Sequence, residues 1–192
     1  GQFGSFIHGF KEAYDGSIEE GDLFLTTDPY ACNGAISHIN DWLLLRPIFK
    51  DGRLIAYAAM FGHMTDVGGK VPGSLPTDAR EIFEEGIRVP PLKIFKKDEL
   101  QTDVLELILH NSRMPTWNRS DFNALVAAMR TAEKRVIEMA ERFGDDEYYS
   151  ALDELLARNK RAMAKLIKDT VPEKKQHFED YICDDGLGMG PY

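Results

Sequence analysis

Two apolar runs separated by an Asp-Gly turn constrain the fold of this chain more than any other feature. Residues 42–49 and residues 53–61 consist mainly of aliphatic and aromatic side chains, and Asp51 and Gly52 lie between them. Asp-Gly between two such runs is a strong short-range signal for a β-hairpin. The sequence therefore predicts a central antiparallel hairpin.

A His-x-x-Asp motif flanks this hairpin on each side. His38 and Asp41 precede the first run, and His63 and Asp66 follow the second. A hairpin brings these two ends together, and imidazole with carboxylate ligands suits ions such as Zn, Mn, Fe or Co. The spacing leaves two interpretations open: a metal or catalytic site at this rim, or histidines that only cap the strands.

Two loops beside the motifs contain candidate substrate-binding residues. Asp28 precedes Pro29 where a strand predicted over residues 22–27 ends, and Gly68 and Gly69 follow the second motif. Glycine permits positive φ and a close approach of the backbone to a ligand. We expect Asp28, Gly68 and Gly69 to line the site, although ordinary turn chemistry also explains an aspartate before proline and a pair of glycines.

The second half of the chain has helical periodicity. From Asp98 onward apolar residues recur at spacings of three and four, which predicts amphipathic helices. The segment 110–115 interrupts them, and the next helix is predicted to begin at an N-cap, Ser120, and to stop at Gly144. A last helix is predicted over about residues 147–169.

These patterns together predict an α+β fold. The strand-rich portion covers residues 1–97, contains the central hairpin and includes a short helix over 6–14 and an acidic helical turn over 79–85. The helical portion covers residues 98–192 and ends in long antiparallel helices. We expect one domain that is a fragment of a longer chain, since the sequence begins with Gly1.

Composition excludes several classes of protein. A formal net charge of -9 argues against a nucleic-acid binder, which needs a basic face. No apolar run is long enough to cross a bilayer, and the chain does not open with a signal peptide. Cys32 and Cys183 form no Cys-x-x-Cys pair, which fits reduced thiols. We expect a cytoplasmic protein without nucleic-acid or membrane partners.

Several motifs, in order, resemble the hydantoinase B/oxoprolinase family, and the resemblance spans nearly the whole chain. The motifs are residues 21–30, His38 with Asp41, and residues 62–69, 72–74, 81–91, 111–115 and 130–144. The sequence departs from the commoner family pattern at residues 31–37, which replace a glycine-rich stretch, and at Met64, where many relatives have a second histidine or another polar residue. These departures leave the shape of the substrate open.

The resemblance implies a subunit that works with a hydantoinase A-like partner, which binds ATP and activates a carbonyl or enol oxygen by phosphorylation. The B-type subunit then completes hydrolysis of a cyclic amide or, as in acetone and acetophenone carboxylases, carboxylation of a ketone. We favour hydrolysis. A non-catalytic assembly module, docking the ATPase through its C-terminal helices, is the alternative of a different class.

The resemblance also implies the ligands of a divalent metal, expected to be Zn, Mn or Fe. Carried onto this sequence, His38, Asp41 and His63 match metal ligands, and Asp66 matches a fourth ligand or a catalytic base beside the metal. The expected partners are therefore the ATP-binding subunit, in a hetero-oligomer, and a small-molecule carbonyl substrate.

Overall fold

The computed structural model describes residues 3–14 and 16–181, without the side chain of Ser5. Cys183 lies outside the described residues. The elements in chain order are α1 (Phe3–Ala13), β1 (Leu23–Thr26), β2 (Asp41–Lys50), β3 (Arg53–His63), a 3-10 turn (Ile82–Glu84), β4 (Leu92–Lys96), β5 (Glu99–Leu100), α2 (Thr102–His110), α3 (Pro115–Phe143) and α4 (Asp145–Thr170). This order confirms the α+β prediction of a strand-rich part followed by long helices.

The five strands form one antiparallel sheet in the order β3-β2-β1-β4-β5. The predicted hairpin is β2–β3, and its turn residues Asp51 and Gly52 both have positive φ, 51° and 73°. Positive φ at both positions matches the twist of the flanking strands. The pairing extends from Lys50 opposite Arg53 to Asp41 opposite His63.

Apolar side chains fill both faces of the sheet, which explains why β2 reads as a nearly continuous apolar run. Successive residues of a strand point to opposite faces. Trp42 and Leu44 pack into a core with residues of α2 and α3, whereas Leu43 and Leu45 pack with residues of α1. The centre of the sheet is therefore covered on both sides, whereas most of β3 is half-buried or exposed.

Some elements differ from the prediction. The chain after Asp98 was expected to be helical, but Glu99 and Leu100 pair with β4. Ser120 as an N-cap was wrong, because α3 begins five residues earlier at Pro115, a residue favoured at the first helical position. Of the predicted acidic turn only Ile82–Glu84 is helical. Gly144 does end α3, with φ 87°.

The chain divides into two compact units, residues 1–135 and residues 136–192. The first contains the sheet and both cores, and the predicted boundary at residue 97 falls inside it. In the second unit α4 buries none of its residues. No helix in the described residues combines the length and the apolar character that crossing a membrane requires.

Candidate metal centre

The register of the hairpin places two of the four predicted ligands side by side. Asp41 is the first residue of β2, His63 is the last residue of β3, and they are direct partners across the strands. The N–H of Met64 donates to the Asn40 carbonyl at 2.8 Å, which continues the pairing past the strand ends. The Asp41 side chain is 7% exposed and that of His63 is 47% exposed.

His38 joins them from the preceding loop. The N–H of Asp41 donates to the His38 carbonyl at 3.2 Å, which closes a tight turn between the two residues. The Ser37 hydroxyl lies 3.1 Å from His38 Nδ1. A partner on one ring nitrogen fixes the orientation of the ring, as is usual for histidines that bind metals. His38 Nε2 is thereby directed at Asp41 and His63.

Three ligand atoms converge at this rim. His38 Nε2 lies 2.9 Å from His63 Nδ1 and 3.2 Å from Asp41 Oδ1, and His63 Nδ1 lies 3.0 Å from Asp41 Oδ1. With metal–ligand distances of about 2.1 Å, neighbouring ligands lie about 3.0 Å apart on an octahedron and about 3.4 Å apart on a tetrahedron. The triangle matches one face of an octahedral site. The same distances also permit hydrogen bonds among the three side chains.

Two His and one carboxylate form a donor set typical of divalent first-row metals, which would bind water or substrate as additional ligands. No other group of three or more His, Cys, Asp or Glu side chains in residues 3–14 and 16–181 gathers its ligand atoms in this way. The donor chemistry of the cluster therefore fits the metal that the sequence predicts.

Asp66, the fourth predicted ligand, is not brought to the cluster. Its Oδ1 accepts hydrogen bonds from the N–H groups of Gly68 and Arg113, both at 3.0 Å. Its Oδ2 accepts from the Gly73 N–H and from Arg113 Nη1, both at 2.9 Å. The residue is 1% exposed. Burial alone would raise the pKa of Asp66, but these hydrogen bonds outweigh it and lower the pKa below its ordinary value.

Arg113 clamps the loop that follows His63. Besides Asp66, its guanidinium donates to the carbonyls of Gly68 and Val71 at 3.1 Å and of Gly69 at 2.6 Å. Arg113 lies in the segment 110–115 that interrupts the predicted helices. Its anchoring role could not be read from spacing, because the partner carboxylate is 47 residues away.

Gly68 and Gly69 approach their own chain closely. Both have positive φ, 92° and 76°. A Cβ on Gly68 would lie 2.7 Å from the Asn111 carbonyl oxygen, and one on Gly69 would lie 2.8 Å from the Glu85 carbonyl oxygen. The close approach expected of these glycines is therefore made to loop backbone, and their contact with a substrate stays a prediction.

Asp28 caps a turn and binds an arginine. Its Oδ1 accepts from the N–H groups of Tyr30 and Ala31 at 3.0 and 3.3 Å, and its Oδ2 accepts from Arg88 Nη2 at 2.7 Å. Burial acts to raise the pKa of Asp28, but the hydrogen bonds from Arg88 and the turn lower it below its usual range. Its role towards a substrate also stays a prediction.

Two clefts lie near the cluster, and His38 lines the smaller of them. A cleft of ≈ 270 Å³ is lined by His38, residues 74–77 and Glu85. A second, of ≈ 480 Å³, is lined by residues of the 29–37 loop together with Ile82 and Glu85. Small-molecule sites usually occupy about 300–1,000 Å³. The sequence allows Glu85, with Glu81 and Glu84, to act as an acid or base, but a solvated acidic turn is the favoured explanation of the three carboxylates. Spacing alone does not indicate the position of Glu85 beside this cleft.

Comparisons with a family model and with known proteins point to the same family. The model of the hydantoinase B/oxoprolinase family matches residues 1–190. The beta subunit of caprolactamase from Pseudomonas jessenii is 36% identical over 173 residues, which are 90% of this chain and 29% of the relative. The delta subunit of acetophenone carboxylase from Aromatoleum aromaticum is 28% identical and is matched over 99% of this chain and 29% of its own length.

A solved structure agrees with these matches. The crystal structure of the ATP-dependent caprolactamase from Pseudomonas jessenii superposes with a TM-score of 0.79 at 32% identity, covering 88% of this chain and 29% of that chain. The chain thus spans less than a third of the length of the relatives it matches.

Proposed function

Because the chain belongs to the hydantoinase B/oxoprolinase family, we propose that it is the metal-bearing part of an ATP-dependent enzyme that hydrolyses a cyclic amide. The observation that carries the proposal is the convergence of His38 Nε2, Asp41 Oδ1 and His63 Nδ1 within 3.2 Å of one another. The similarity to an ATP-dependent caprolactamase supports a lactam, hydantoin or 5-oxoproline-like substrate.

His38, Asp41 and His63 would hold the metal, and the residues around them prepare that site. A bound divalent metal would supply Lewis-acid polarisation of the carbonyl oxygen and a water of lowered pKa. Ser37 fixes the His38 ring, and the hairpin register fixes Asp41 against His63. The half-exposed His63 keeps one side of the cluster open to substrate.

The proposal includes a hetero-oligomer. The caprolactamase and acetophenone carboxylase relatives are a beta and a delta subunit. We propose that a hydantoinase A-like subunit binds ATP and activates the carbonyl oxygen of the substrate. Hydrolysis of the activated substrate is then completed beside His38. The acidic chain and the reduced Cys32 fit a cytoplasmic complex.

Metal content tests the proposal directly. The purified protein should contain about one Zn, Mn or Fe per chain, and a His38→Ala/His63→Ala variant should contain none. Asp66→Asn is the matched control, because it removes a charge from the same loop region and leaves the three ligands in place. Protein without metal in all three samples would leave the assembly-module interpretation as the better one.

Ketone carboxylation is the second candidate function. The match to an acetophenone carboxylase subunit over 99% of this chain favours it, and a single metal site could also stabilise an enolate. Two assays of the complete complex with ATP separate the candidates. One supplies caprolactam, 5-oxoproline or hydantoin, and the other supplies acetophenone or acetone together with labelled bicarbonate. Release of an amino acid from caprolactam or 5-oxoproline, or of an N-carbamoyl amino acid from hydantoin, supports hydrolysis, whereas fixed label supports carboxylation.

A further inference from the structure

We propose that Glu85 is a catalytic residue, the carboxylate that exchanges a proton with the attacking water in the cleft beside His38. This inference rests on the proposed hydrolysis and adds a residue to it. Among the residues that line the two clefts, Glu85 is common to both, and His38 lines the smaller one with it. A carbonyl compound seated against His38 in that cleft therefore has Glu85 in its wall.

The backbone around Glu85 is held firmly. The Glu85 N–H donates to the Ile82 carbonyl at 3.1 Å, and the Ile87 N–H donates to the Val67 carbonyl at 3.1 Å. The Lys70 N–H donates to the Glu84 carbonyl at 2.8 Å. The last two bonds fix the 82–87 segment to the loop that follows His63. Rigid placement of a reacting group lowers the entropic part of a barrier.

The side chain of Glu85 is free while the neighbouring carboxylates are occupied. Asp66 and Asp28 accept hydrogen bonds on both oxygens, and Glu84 binds Lys70 Nζ at 3.3 Å and the Arg80 N–H at 2.6 Å. Within the described residues the Glu85 carboxylate has no hydrogen-bond or ion-pair partner. It can therefore take a proton without losing a structural bond.

In the proposed step Glu85 exchanges one proton with the attacking water. The water oxygen forms a bond to the carbonyl carbon, and its proton passes to the Glu85 carboxylate. The ring C–N bond then breaks, and Glu85 returns that proton to the leaving nitrogen, which becomes an amine. The carbonyl carbon keeps the phosphoryl group that activated its oxygen, and a second water releases this group as inorganic phosphate and leaves a carboxylate. The predicted base Asp66 is unsuited to this exchange, because both of its oxygens are engaged in the loop.

The test uses the complete complex with its ATP-binding subunit and the lactam that it turns over. Glu85→Gln should lower turnover by about 100-fold or more, the usual contribution of general acid–base catalysis. Metal content, measured by elemental analysis, should stay at the wild-type value. Glu81→Gln is the matched control, since Glu81 is an exposed carboxylate of the same segment without a side-chain capping bond, and it should keep full turnover.

Glu85→Ala with added formate separates proton transfer from a structural effect. Recovery of turnover with formate supports the proposal, and a loss without recovery assigns the effect to structure and overturns it. Equal turnover in Glu85→Gln and wild type also overturns it, as does loss of metal from Glu85→Gln. Wild-type complex that hydrolyses no cyclic amide overturns the proposed function itself, which is a different result from an active enzyme indifferent to Glu85.

Discussion

At the scale of single residues, Asp66 shows how a buried carboxylate can be committed to structure. Four N–H donors surround it, two of them from Arg113. Charge-assisted hydrogen bonds of this kind are stronger than neutral ones. Moving a carboxylate oxygen to a metal would leave buried donors without an acceptor, which costs free energy. Asp66 therefore anchors the loop after His63.

We expect Asp66→Asn to lower the free energy of unfolding by about 2–4 kcal/mol, because an amide cannot accept all four bonds and leaves Arg113 without its counter-charge. Urea unfolding at pH 7 measures this. Metal bound per folded chain should be unchanged. A variant of unchanged stability that has lost its metal would show that Asp66 is a ligand.

The lowered pKa values of Asp66 and Asp28 predict how stability depends on pH. Unfolded aspartate titrates near about 3.9. A group whose folded pKa is depressed contributes stability that is present above its unfolded pKa and is lost as pH falls through its folded pKa. The contribution of these two aspartates to the free energy of unfolding should therefore be constant above about pH 5 and fall below about pH 4.

The same argument gives a sharper comparison. The difference in unfolding free energy between wild type and Asp66→Asn should shrink from pH 6 towards pH 2.5, because protonation of the wild-type carboxyl removes what the substitution removes. Urea unfolding at several pH values measures the difference. A gap that stays constant down to pH 2.5 would contradict the lowered pKa.

The residues that the sequence predicted well are those fixed by strand register. Asp41 and His63 are the ends of one hairpin, so their proximity follows from two apolar runs and an Asp-Gly turn. Asp66 lies three residues past the strand, where the direction of a side chain depends on contacts with Arg113. Local pattern contains no information about such distant partners.

At the scale of secondary-structure elements, positive-φ glycines occupy two different environments. Gly52 in the β2–β3 turn has φ 73° with open space around its Cα, whereas Gly69 has φ 76° and lies against the backbone of Glu84 and Glu85. A Cβ on either residue meets the same backbone strain. Only at Gly69 does the added Cβ also clash with backbone atoms, which cannot shift without distorting the loop.

We expect Gly52→Ala to lower the free energy of unfolding by about 1 kcal/mol, from left-handed strain alone. Gly69→Ala should lower it by about 3 kcal/mol or more, because overpacking adds to the strain. Thermal and urea unfolding of the matched pair measure the difference. Equal losses of unfolding free energy in the two variants would mean that the loop after Asp66 shifts to accommodate the added Cβ.

Arg46 connects three elements. It lies in β2 with 5% of its side chain exposed, and it binds Glu133 of α3 at 2.8 Å and Asp98 of the β4–β5 turn at 2.9 Å. Removing one partner of a buried ion pair leaves an uncompensated charge, whereas replacing both partners by apolar residues is often tolerated.

We therefore expect Arg46→Met to lower the free energy of unfolding by about 3–5 kcal/mol. A second substitution, Glu133→Leu, should restore more than half of that loss, since the abandoned carboxylate is 18% exposed and sits against the sheet. A double variant no more stable than Arg46→Met would contradict this account.

Element boundaries show where sequence reasoning stops. The sequence did not indicate β4 because this strand directly follows two prolines and has only five residues, and it did not indicate β5 because that strand has only two residues. The start of α3 was misplaced because Ser120 resembles an N-cap while Pro115 resembles a helix breaker. Strand pairing decided the first case, and the preference for proline at the first helical position decided the second.

At the scale of the whole molecule, the candidate centre and the sheet are parts of one unit. The cluster joins a loop, the start of β2 and the end of β3, all within residues 1–135. The unfolded chain scatters these three residues. A metal that binds only the folded state must therefore stabilise the entire first unit.

We expect Zn or Mn, at a free concentration about 100 times its Kd, to stabilise the folded state by about 2.7 kcal/mol and to raise Tm by about 5–10 °C. A chelator should reverse the shift.

Asp41→Asn should melt at the same temperature with and without metal, because the cluster loses its only carboxylate ligand. Asp66→Asn should melt lower throughout and still respond to metal in full, since its defect lies in the loop. Differential scanning calorimetry of the three proteins measures both effects. A metal response that Asp66→Asn loses and Asp41→Asn retains would place the ion at the second His-x-x-Asp motif and contradict the assignment to the hairpin rim.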